Sequence, residues 1–224
     1  MILKYSMKKT LARGFTLVEL LIVIALLGVI ATIVIAAINP IEQANRASDA
    51  GKKADAGQIV SAIQRYYASH NQFPWEATSC TTNGGTQCLL SSDLEFAFVR
   101  ADDPSVGICG ASGASCKTTT NQGELISSQE LQSAFISKSW VNATSIDARI
   151  LVGKASGSSS SVYACWIPKS NSNRQNLINS ATTGNKMVDV TSFTSAGIPS
   201  VSTACTTPSD TDWATGACYE CVPQ

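Results

Sequence analysis

A single histidine, His70, stands in the whole chain. One imidazole cannot build a histidine-rich metal site, and no Ser/His/Asp set gathers around it. His70 falls at the end of a helical stretch, where a solvated helix-end role is simpler than that of a base. Charge is also scarce, and the 16 basic and 16 acidic residues cancel. That balance removes the basic footprint expected of a nucleic-acid or anionic-surface binder. No glycine loop of the phosphate-cradling type occurs. Cysteine is absent before position 80. These absences argue against an enzyme.

What is present begins with an apolar run over residues 15–38, interrupted only by Thr16, Glu19, Gly28 and Thr32. As a helix it is about 36 Å long, enough for a hydrocarbon core of about 30 Å. Lys4, Lys8, Lys9 and Arg13 precede it, which places the N-terminal side in the cytoplasm and the remainder outside. A cleaved secretory signal fits poorly. The apolar stretch is too long, and Pro40-Ile41 follows where an Ala-x-Ala site is needed. Glu19 is the anomaly, because an unpaired acid in lipid costs several kcal/mol.

All eight cysteines, Cys80, Cys88, Cys109, Cys116, Cys165, Cys205, Cys218 and Cys221, lie on the exported side. An even number there reads as disulfides in an oxidising compartment. Eight cysteines allow on the order of a hundred complete pairings. Sequence proximity favours Cys80–Cys88 and Cys109–Cys116, and the rest stay open. The rival use is metal, but Cys218-Tyr-Glu-Cys221 is a lone C-x-x-C and a structural zinc needs four ligands.

Upstream of the apolar run, a short basic leader ends at Gly14, followed by Phe15-Thr16-Leu17-Val18-Glu19-Leu20. This junction resembles type IV prepilins and the pseudopilins of type II secretion systems, most sharply over residues 7–40. The resemblance implies cleavage after Gly14 by a membrane prepilin peptidase, then N-methylation of Phe15. It implies partners too: copies of the chain and other pilins, an assembly ATPase, a platform protein and the cytoplasmic membrane before assembly. Met7 offers a more usual leader length than Met1. Cleavage would create a cationic amine about one helical turn from Glu19. In the family the corresponding acid neutralises the N-terminal amine of a neighbouring subunit; the plain alternative is that Glu19 snorkels to the headgroups.

Beyond the apolar run, Pro40 predicts a break near residues 36–40, and Gly28 is a second weak point. Helix resumes with a small-residue face of Ala44, Ala47, Gly51 and Ala54. Glu42 and Arg46 can pair at i,i+4. Ile59, Ala62, Ile63 and Tyr66 form an apolar stripe, and the helix should stop near residues 69–71 before Phe73-Pro74-Trp75. Residues 49–74 also resemble the major pseudopilin pattern. The organisation expected is a leader (1–14), a transmembrane or filament-core helix (15–38), a stalk helix (39–75) and an exported cysteine-rich domain (76–224).

In that domain, strands are expected at residues 95–100, 149–155, 161–167 and 186–191, with a Gly/Ser hairpin loop at 156–161. A helix is expected at 128–141, opened by a capping box at Ser127-Ser-Gln-Glu130. The fold class is α+β: a long N-terminal helix packed on a small antiparallel sheet, a pilin-like roll with disulfide-tied loops at its far end. No cofactor is expected. Calcium at Asp102-Asp103 or Asp210-Thr-Asp212, as in major pseudopilins, lacks EF-hand spacing, and turn or capping roles are simpler. Asn142-Ala-Thr144 fits a glycosylation sequon too common to count. The leading function is a structural filament subunit. A secretion pseudopilin and a minor pilin or tip adhesin binding a surface or DNA are the alternatives.

Overall fold

A computed structural model of the chain describes residues 14–37, 39–76, 91, 93–110, 116–117, 122–157, 159–179, 188–195, 197–202, 213 and 218–223. The chain divides into two compact units, Met1–Ile41 and Glu42–Gln224.

In the first unit the apolar run forms helix α1, Leu17–Ala37. Gly28 sits inside it without interrupting it. The interruption comes later: α2 runs from Pro40 to His70. Pro40 is the first residue of α2, where its missing N–H costs nothing and its fixed φ suits the helix. Of the two expected break points, only Pro40 coincides with one.

In the second unit α2 is held by its periodicity. Ala56, Ile59, Val60, Ala62, Ile63 and Tyr66 fall on one face and are buried. Full burial of an Ile contributes about 2 kcal/mol of transfer free energy. The helix ends as expected, with Asn71 in the left-handed region (φ 55°) and its N–H donating to Tyr67 O at 2.7 Å, a C-terminal stop that Asn tolerates well. An aromatic column follows, with centroids 4.4 Å apart for Tyr67–Phe73, 4.6 Å for Phe73–Trp75 and 4.1 Å for Trp75–Phe96.

The sheet facing α2 has four antiparallel strands in the order β1-β2-β3-β6. They are β1 Phe96–Arg100, β2 Ile150–Lys154, β3 Val162–Trp166 and β6 Glu220–Val222. All four expected strands match within two residues, three of them in this sheet, and the Gly/Ser stretch is the β2–β3 hairpin loop. The fourth, β4 Val188–Phe193, pairs with β5 Pro199–Val201 in a separate ribbon. Both faces of the main sheet are covered. Phe96, Val152, Ala164 and Trp166 join α2 in one apolar cluster. Tyr163, Cys165, Trp213 and Tyr219 form a second, with Phe98, Val190 and Phe193 packed against it. This explains why β3 is buried along its whole length, as strands covered on both faces are. Gly153 is required here, since a Cβ would lie 2.7 Å from the Phe98 ring.

One expectation fails. The helix at 128–141 does not form. Instead α3, Glu124–Ser127, ends at the residue that should have opened it, and only a 3₁₀ segment, Ser133–Ser137, follows. Gln129 adopts a left-handed conformation (φ 64°), and Glu130 is drawn away to Arg65 at 2.9 Å. Phe135 and Trp140 enter the core from separate turns, so tertiary packing overrides the local capping signal. Cys109–Cys116 forms as expected, and Cys165–Cys221, a pairing the sequence left open, joins paired positions of β3 and β6 inside the sheet. Sequence order could not favour a pair 56 residues apart. Cys80, Cys88 and Cys205 lie outside the described residues. A short helix, α4 Asn171–Ile178, was not expected.

Candidate functional site

The start of α1 carries the first group of candidate residues. Thr16 immediately precedes the helix and Glu19 is its third residue. Glu19 Oε2 accepts from Thr16 N at 2.9 Å and from Thr16 Oγ1 at 2.8 Å, while Glu19 N donates to Thr16 Oγ1 at 3.2 Å. This is a reciprocal capping box, which satisfies helix-end donors and sets the carboxylate near the positive end of the dipole. The Thr-x-x-Glu spacing is the signal in the sequence that carries this role of Glu19. Gly14 and Phe15 lie just before the box, outside the helix and exposed. The segment Leu17–Ile35 has a mean hydropathy of 3.0 and none of it is buried. It is long and apolar enough to cross a membrane.

The second group anchors α2. Glu42 does pair with Arg46, at 3.4 Å, but its main work is elsewhere. It accepts from Ser170 Oγ at 2.7 Å, Ser172 N at 3.0 Å and Asn171 N at 3.1 Å, across the first residues of α4. Those bonds, Ser170 foremost and then Ser172, hold its carboxyl down at about 2. Asp49 accepts from Lys169 N, Ser170 N and Asn173 Nδ2 at 2.8–2.9 Å. Lys52 donates to the carbonyls of Asp147 and Ile167. Burial, reinforced by the Lys169 charge, pushes the Lys52 amine down to about 8 against the pull of Asp49 and Asp147. Asp55 takes Lys138 Nζ at 2.7 Å and Trp140 Nε1 at 2.9 Å.

The remaining candidates are placed in structural roles. Asp102 receives both Nε and Nη2 of Arg100, at 2.8 and 2.6 Å, and the Asn142 N–H at 2.7 Å. Asp103 caps the turn Pro104–Val106 through Ser105. The open pocket of about 390 Å³ between these residues, Thr144 and Arg149 is therefore lined by groups already bonded to one another. Asp210 and Asp212 lie outside the described residues. His70 is exposed, stacks on Tyr66 at 4.2 Å and meets Ser69 Oγ at 2.8 Å. Cys218 and Cys221 are both in disulfides, and Cys221 is paired with Cys165, not with Cys218. Among the described residues no cluster of three His, Cys, Asp or Glu side chains is arranged to hold a metal.

Residues 9–35 match the family model described as the prokaryotic N-terminal methylation motif. This motif is the signature of the type IV pilin and pseudopilin family, whose members are structural subunits. No curated protein and no solved structure matches the chain. The motif supports the reading of a pilin-like or pseudopilin precursor, and the exposed apolar helix and α+β domain are consistent with a pilin-like fold.

Proposed function

We propose that this chain is the prepilin of a type IV pilus or related filament, cut after Gly14 and N-methylated on Phe15, which polymerises through its N-terminal helix. The reading is carried by one observation. A fully exposed apolar helix opens on a methylation motif with its only acid, Glu19, in the first turn. Before assembly, lipid covers α1 and the domain from Glu42 onward lies outside the membrane. On assembly, α1 passes from lipid into a core of equivalent helices, so its apolar surface need not meet water. The prepilin peptidase, the platform protein and the ATPase are the partners this route requires.

The capping box adds a step to the role of Glu19. Before cleavage Thr16 and the helix end satisfy the carboxylate. After cleavage the Phe15 amine of a neighbouring subunit competes for it, and it brings a full positive charge that the Thr16 donors lack. Glu19→Ala should insert and be cleaved normally yet be depleted from filaments; normal filament yield would remove the pairing. The central test is N-terminal sequencing of sheared surface filaments, where methylated Phe15 is expected. Mature molecules that keep Met1 or Met7, or that lack α1, would overturn the proposal.

A secretion pseudopilin is the second reading, favoured by the polar run of α2 into Tyr66-Tyr67 and the Phe73-Pro74-Trp75 turn. It predicts that deletion abolishes protein export and leaves surface pili intact.

A further inference from the structure

α2 docks on its domain in two chemically different ways. Between Glu42 and Asp55 the buried side chains are Asp49, Lys52 and Asp55, all charged, and the first buried apolar residue is Ala56. From Ile59 to Tyr66 the buried residues are apolar. The polar zone also holds two glycines, Gly51 and Gly57, inside the helix. A close packing contact is the usual reason for glycine there, but a Cβ on either would meet nothing within 4 Å. They weaken the helix without serving its packing.

We propose that residues 42–57 form a releasable strap, which detaches from the domain as a unit while the apolar zone of α2 stays in the core. When the strap lifts, Glu42, Asp49, Lys52 and Asp55 exchange protein partners for water, which offsets part of each bond lost, and Ala56 is the one core side chain exposed. The apolar zone has no such exchange, because lifting it exposes Ile59, Ile63 and Tyr66. The least stable segment therefore opens first, by local rather than global unfolding. At rest the strap is closed, since each carboxylate is bonded across to residues 138–173. In a filament, a pull along α1 would enter the domain at Glu42 and be met by strap release before core unfolding. That use rests on the filament reading, whereas the release itself does not.

The test is amide hydrogen exchange on the full chain in detergent micelles. Amides of residues 44–57 should exchange at least about tenfold faster than those of 59–66. Gly51→Ala with Gly57→Ala should slow the first set about tenfold and leave the second unchanged. Glu42→Gln with Asp49→Asn should speed the first set alone. Exchange at one common rate across residues 44–66, or variants that move both sets together, would overturn the strap. Neither outcome depends on filament formation, so this failure is distinct from failure of the prepilin reading.

Discussion

Helices α1 and α2 are neighbours in sequence, with Ala37 ending one and Pro40 starting the other. Their chemistry is opposite. α1 is apolar on all sides and exposed at every residue from Leu17 to Ile35. α2 buries nine residues against its own domain. A helix apolar all round belongs in lipid or among other helices, whereas an amphipathic one can be covered by its own chain. The contrast separates the burial this chain completes within its own domain from the apolar surface that its fold leaves uncovered.

The sharpest way to break this contrast is to delete apolar side chains from each helix. Ile63→Ala should destabilise the domain by about 3 kcal/mol, measured by denaturant unfolding in detergent. Leu27→Ala in α1 should leave that transition unchanged. Equal losses would mean that α1 is also part of the folded domain. Asp49→Ala comes next: it strands the donors around Ser170 and Asn173, so the amides of residues 44–57 should exchange faster while those of residues 59–66 keep their rate. Hydrogen exchange on the full chain would register it, with the denaturant transition unchanged.

Acid and base titration probe the same docking more gently. Lys52 holds an amine lowered from 10.5 to about 8. The unfolded chain therefore binds more protons between those values, and stability should rise with pH across that window. Lys52→Met should flatten the rise. Glu42 runs the opposite way. Its carboxyl is depressed from 4.5 to about 2, so its contribution is complete above pH 4.5 and is lost as pH falls towards 2. Glu42→Gln should remove that acid-side loss. Smallest of all is Thr16→Ala, which should cost about 1 kcal/mol at the start of α1. Faster exchange of the Val18 and Glu19 amides would report it, with domain unfolding unchanged.

Much of the architecture was legible without coordinates. The all-apolar run, the Ile59–Tyr66 stripe, the Asn71 stop and the β2–β3 hairpin rest on periodicity and turn chemistry, which act over a few residues. The methylation motif is local as well. What escaped was long-range. Glu42 reads as an i,i+4 partner of Arg46, yet its stronger bonds are to Ser170 and Ser172. The Ser127–Glu130 box looked sound, but Arg65 claimed Glu130 and the core claimed Phe135 and Trp140. Short strands such as β5 and β6 carry too few residues for a pattern to stand out.

By itself the sequence determined that α1 would be a helix its own chain does not cover, that Glu19 would stand in its first turn, and that α2 would turn one stripe inward. Local sterics and side-chain spacing suffice for such results. Only the tertiary structure decided where each acid of α2 found its donors, that Cys165 met Cys221, and that a second cluster would cover the far face of the sheet. Those choices join residues up to 130 positions apart, and a pairing at that distance has no local signature until the chain has closed around it.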